Sequence, residues 1–133
     1  MSFNLAEAIE VLERTPKTLE YLLTGISPSW IQSNEGDGTW NALEVLEHLI
    51  EGEKMDWIPR VESILNPNKD NHFPPFDRFA HLSKPERKIE DILKEFNSIR
   101  KESVVKLKNL IKSEADFDKI GIHPEFGEVK LGQ

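Results

Sequence analysis

A chain of 133 residues without a cysteine is long enough for one domain with its own core, and it excludes disulfide frameworks, thiolate metal sites and cysteine nucleophiles. Its 24 acidic and 17 basic side chains leave a formal net charge of -7, which repels phosphate backbones and argues against nucleic acid as a partner. No apolar run approaches a membrane span, and the opening Met1-Ser2-Phe3-Asn4-Leu5 lacks the basic start and apolar stretch of a signal peptide, so a soluble, cytoplasmic protein is expected.

Three helix starts share one chemistry. Asn4 precedes Glu7, Asn41 precedes Glu44 and Ser83 precedes Glu86, each three residues apart. A short polar side chain at the first position accepts from the amide of the third, while the glutamate reaches back, as in a capping box. The first helix is predicted over about 4–24, with Leu5, Ala8, Ile9, Leu12, Leu19, Leu22 and Leu23 on one side. Pro16 lies inside it and predicts a kink or a restart. Thr24-Gly25 ends it, and a loop rich in Ser, Gly, Asn and Pro follows from Ser27 to Gly38.

The second helix is predicted over about 41–65, burying Ala42, Leu43, Leu46, Leu49, Ile50 and Trp57. Trp40 and Val45 stand at the positions of a hydrophobic staple, and Pro59 should kink the helix near its end. The connection that follows holds Pro74-Pro75 with Phe73, Phe76 and Phe79, aromatics that suggest packing over the bundle. The third helix is predicted over about 84–112, with Ile89, Ile92, Leu93, Phe96, Ile99, Leu107, Leu110 and Ile111 on its apolar stripe. Residues 114–133 read as a loop, ending in what could be the first turn of another helix, and no strand alternation is convincing. The reading is a single all-α domain over 1–133, an up-down helical bundle whose three long helices leave a groove for a fourth.

Candidate chemistry centres on His48. At 100° per residue it points about 160° away from the apolar stripe centred near Leu46, sharing a face with Glu44, Glu51 and Met55. Geometry alone favours solvent exposure for that face. Glu44 and Glu51 lie one turn on either side and can support or replace a metal ligand, although the capping box already accounts for Glu44. His123, between Gly121-Ile122 and Pro124, belongs to a turn. His72 and His81 read as packing or surface residues, Trp30, Trp40 and Trp57 as core or staple residues, and Asp77-Arg78 as a local surface pair. No glycine loop suited to phosphate appears, and no serine has a recognisable elbow.

The chain resembles the DinB-like (damage-inducible) superfamily of metalloenzymes. The matching residues are Thr15-Pro16, Leu22-Leu23-Thr24-Gly25-Ile26 and above all Thr39-Trp40-Asn41-x-x-Glu44-Val45-Leu46-x-His48-Leu49 with Glu53. Arg60 with Ile64-Leu65 and His123-Pro124-Glu125-Phe126-Gly127 extend the match. The resemblance implies a four-helix bundle binding a divalent metal (Zn, Ni or Fe) through three histidines, His48 the first and the other two four residues apart on the last helix. It also implies thiol-linked transferase or isomerase chemistry, or hydrolysis, on small molecules, and frequent homodimers.

Here the histidines are His48, His72, His81 and His123, and no two are four residues apart. The chain stops where the family's last helix begins, so the expectation is a four-helix type with the fourth helix truncated or absent. His48 is then the one metal ligand assigned, and the site is incomplete in this chain. The alternative is a non-catalytic helical module that self-associates, or binds a partner, through the groove left by the missing helix.

Overall fold

A computed structural model describes residues 3–133; Met1 and Ser2, which open the expected 1–133 domain, lie outside the described residues. Helix α1 spans Leu5–Leu23, and the Asn4 side chain accepts from the amides of Ala6 and Glu7 at 3.0 and 3.3 Å. The helix runs through Pro16 without the restart that the sequence suggested. Proline has no N–H for the carbonyl four residues back, yet that carbonyl, on Leu12, accepts from Arg100 Nη1 at 3.1 Å. A side chain from elsewhere replaces the bond that Pro16 deletes.

Helix α2, Pro28–Gln32, occupies part of the segment expected to be loop; it carries a buried Ile31, but leaves Trp30 69% exposed rather than in the core. Helices α3, Ala42–Met55, and α4, Trp57–Leu65, are the two pieces of the predicted second helix. The break falls at Asp56, with φ -114° and ψ -90°. Pro59 explains its place, because the pyrrolidine ring cannot sit against the Met55 carbonyl in an unbroken helix. Arg60 bridges the break through an ion pair with Asp56 at 2.7 Å.

Helix α5 spans Ile89–Leu110 and starts at Ile89, not near Lys84. The Ser83 hydroxyl donates to the Ala80 carbonyl within a 3-10 turn, Ala80–Ser83, and does not cap a helix. Pro85 holds the preceding Lys84 extended, at φ -78° and ψ 147°, which delays helix entry. Beyond α5 a 3-10 turn, Glu114–Asp118, is closed by Asp116, whose Oδ2 accepts from the amides of Lys112 and Ser113. The Lys119 ammonium and those two amides hold the Asp116 carboxyl well down, at about 2.

The C-terminal stretch corrects a second expectation. Instead of loop and an incipient helix, strands β1, Ile120–His123, and β2, Gly127–Lys130, form an antiparallel hairpin with Ile120 opposite Lys130. Strands of four residues are too short for alternation to show against noise. The His123 ring accepts from the amides of Glu125 and Phe126 at 3.1 and 3.3 Å, and Gly127 supplies the φ of 70° that the turn needs. The hairpin is tied to the preceding connection, since Phe73 N donates to the Ile122 carbonyl and Ile122 N to the Asn71 carbonyl. Gly121 packs so close to Phe73 that a Cβ there would overlap the ring and stand 2.8 Å from Ile64 Cγ1.

Among the described residues, no helix is long and apolar enough to cross a membrane, and no bundle helix follows α5. Helix α5 packs on α1, α3 and α4. The core falls into two clusters: Ile9, Ile58, Val61, Val104 and Leu107 in one, Leu46, Ile50, Ile92, Leu93 and Phe96 in the other. Between Phe96 and Val104 on α5 lies Arg100, 7% exposed, paired with Glu53 of α3, 4% exposed, at 2.6 Å. Leu22, assigned to the apolar stripe, is 60% exposed.

Removing one partner of a buried ion pair strands the other, at a cost of about 3–5 kcal/mol. Arg100→Ala is therefore expected to lower the urea-unfolding free energy by about that amount. Pro16→Ala restores the missing amide, so it should stabilise the Arg100→Ala protein more than the unmodified one. A double-mutant cycle on the two positions reads that coupling directly.

Candidate functional site

The capping box at the start of α3 forms as the sequence suggested: Glu44 N donates to Asn41 Oδ1 at 3.0 Å, and Asn41 N donates to Glu44 Oε2 at 2.8 Å. This fixes where the helix begins and so which way His48, one turn further on, projects. Trp40, expected to staple against Val45, leaves that residue 41% exposed. Its ring turns instead onto two histidines, with centroids 4.9 Å from His48 and 4.6 Å from His81.

His48 is therefore not in open solvent. Helical geometry places it off the core face, but the connection between α4 and α5 folds back over that face. Phe76 from this connection lies 5.8 Å from the His48 ring, and His81 lies 5.2 Å from it. Phe79 stands edge-on to Trp40 at 6.1 Å while remaining half exposed. The site is a pair of imidazoles under an aromatic roof.

Neither imidazole is satisfied. His81 is 3% exposed, and both of its ring nitrogens are buried without a hydrogen-bond partner; Nδ1 of His48 is in the same condition. A buried unpaired polar group costs about 1–3 kcal/mol, so three side by side are a feature that calls for an occupant or a proton. Burial pushes the His81 imidazole below its usual range and the nearby His48 adds to this, while Glu44 and the Arg78 backbone, close to the ring but outside hydrogen-bond geometry, oppose it. His81 is thus held neutral, with a lone pair available.

The carboxylates around the pair have other duties. Glu44 serves the capping box, and Glu51 accepts from Lys84 Nζ at 2.6 Å. Glu47, nearly buried, accepts from Arg87 Nε at 2.7 Å, and Arg87 reaches on to Glu95, which Lys54 also binds. Lys54 and Arg87 together hold the Glu95 carboxyl below its usual range. Beside His81, a cleft of about 300 Å³ opens between Asn41, Glu44, Glu47, Arg87 and Gln32.

The other histidines stand apart from the contacts of His48. His72 is exposed and its Nδ1 pairs with Asp70 at 2.7 Å, while the Nδ1 of His123 is consumed in the hairpin turn. Asp77 accepts from the Phe79 amide and Arg78 lies over the Phe79 ring, so each serves Phe79 in place of a mutual ion pair. Among the described residues no three His, Asp or Glu side chains are placed to share one ion. The sequence reading missed His81 as a neighbour of His48. The density of Phe73, Phe76 and Phe79 marked a segment that packs, but nothing in its spacing said onto which face.

Comparison with known proteins gives two findings. A family model described as the DinB superfamily matches residues 11–133. The fold is similar to that of YfiT from Bacillus subtilis, described as a probable metal-dependent hydrolase with an unusual four-helix bundle topology. The TM-score is 0.78 at 18% identity, covering 96% of this chain and 73% of that one, a likeness that shows the bundle fold. No curated protein matches the chain.

The depressed His81 pKa has a stability consequence. Below its ordinary value of 6.5 the unfolded chain takes up a proton that the folded site resists, so stability falls as the pH drops through that value. The urea midpoint of the metal-free protein is expected to decrease from about pH 7.5 to about pH 5.5. His81→Phe should flatten that slope.

Proposed function

The chain belongs to the DinB superfamily, and from that premise we propose that it serves a divalent-metal-dependent reaction on a small molecule, with His48 as a metal ligand. One observation carries the reading: His48 offers a buried Nδ1 with no partner, at the position where the family resemblance puts a ligand. The donor chemistry fits, since a neutral imidazole suits zinc, nickel and iron, and the absence of cysteine leaves nitrogen and oxygen donors alone. Bound there, such an ion supplies Lewis acidity and brings the pKa of a water it holds toward neutral.

The chain's own residues do the rest by position. The Asn41–Glu44 box fixes the helix start, so the His48 ring is presented from a rigid element. Trp40 and Phe76 pack against that ring and limit its rotation. They also keep water off its flanks, which strengthens electrostatic interactions at the exposed edge. Glu51, held by Lys84, is withdrawn from competition as a ligand.

The cleft beside His81 has the size of the smaller ligand sites, about 300 Å³. Its wall offers the Asn41 amide, a group that suits a polar substrate. Metal-dependent hydrolysis, the reaction named for YfiT, is the first class to assay. Thiol-linked transfer or isomerisation is the finer alternative, to be assayed with a low-molecular-weight thiol as cosubstrate.

The test begins with binding. Metal-free protein titrated with Zn(II), Ni(II) and Fe(II) should take up a stoichiometric ion. His48→Ala should weaken that binding by about 10- to 100-fold or more, with the circular dichroism spectrum unchanged. Equal affinity in the two proteins would remove His48 from the site and the reading with it.

A further inference from the structure

We propose that His81 is a second imidazole ligand for the ion that His48 binds, so that this chain grips the metal from α3 and from the turn after the aromatic connection. The inference rests on the metal-binding reading above and adds a residue that the sequence did not single out.

Three observations support it. Both ring nitrogens of His81 are buried and unpartnered, as is Nδ1 of His48, so the rings are not hydrogen-bonded to each other. His81 is 3% exposed, so bulk water does not satisfy it either. The two ring centroids lie 5.2 Å apart. With metal–nitrogen bonds of about 2.1 Å, two imidazoles on one tetrahedral ion hold their centroids about 5 Å apart. The separation is therefore compatible with a shared ion, in an edge-to-face ring contact that by itself pairs no polar atom.

The surroundings narrow the alternatives. Glu47, Glu44 and Glu51, the carboxylates nearest in sequence to His48, are bonded to Arg87, Asn41 and Lys84. His72 is paired with Asp70, and His123 accepts from its own turn. Trp40 packs against both His48 and His81 and holds the two rings in one cage. An ion bound here completes its shell with water or with substrate, as a catalytic rather than a purely structural site does.

Cobalt(II) titration of the metal-free full chain provides the test, read by its visible d–d absorption. His81→Phe keeps the aromatic packing and removes both nitrogens. It is expected to weaken Co(II) binding by about 10- to 100-fold and to reduce the absorption intensity, with His72→Ala behaving as the unmodified protein. If His81→Phe binds Co(II) with unchanged affinity and spectrum while His48→Ala does not, His81 is no ligand and only this inference falls. If neither substitution matters, or no ion binds, the metal-binding reading falls as well. Histidine side-chain nitrogen-15 resonances of the unmodified protein on Zn(II) addition repeat the test without a substitution. Signals of both His48 and His81 should move together, and movement of His48 alone overturns the proposal.

Discussion

The guanidinium of Arg100 is the contact on which this bundle depends. From α5 it donates to the Leu12 carbonyl of α1, pairs with Glu53 of α3 and lies over the Phe96 ring, 4.9 Å from its centroid. Three helices meet in one side chain. Its level in the bundle is also where the core divides, with Phe96 in the cluster on one side and Val104 in the cluster on the other. Apolar packing is non-directional and lets helices slide; a buried charge that must meet a carboxylate and a carbonyl does not. A polar layer of this kind can specify register, and Pro16 creates the vacancy that it fills.

Register matters because the histidine site is built from pieces far apart in sequence. His48 is placed by a helix cap, and His81 by a short turn at the end of a connection with little regular structure. The ion pairs from Lys84 to Glu51 and from Arg87 to Glu47 pull the end of that connection onto α3, on both sides of His48 in the helix. Aromatic contacts then close over the ring. Electrostatics draws the segment in, and hydrophobic packing fixes its side chains.

Much of this was legible in the chain itself. The Asn41–Glu44 box, the helical class and the break imposed by Pro59 follow from local rules, in which a residue acts on neighbours within four positions. Four features were not legible. Pro16 passes without a restart because an arginine more than eighty residues away serves the carbonyl. Ser83 fails as a cap because Pro85 keeps the chain extended and Arg87 is needed by Glu47. His81 looked like one more loop residue because its significance lies wholly in being folded against His48. The C-terminal hairpin escaped because four-residue strands carry too little pattern, and its partner segment, 71–73, is no strand at all.

That hairpin gives the connection a fixed origin. Phe73 bonds the Ile122 backbone and fills the space left by the missing Cβ of Gly121, while the far end of the same segment is held by Lys84 and Arg87. A tether anchored at both ends has few ways to lift. The roof over the two imidazoles is thus closer to a strut than to a flap. The C-terminal hairpin, far from His48 and His81 in sequence, acts as the abutment on which that strut rests.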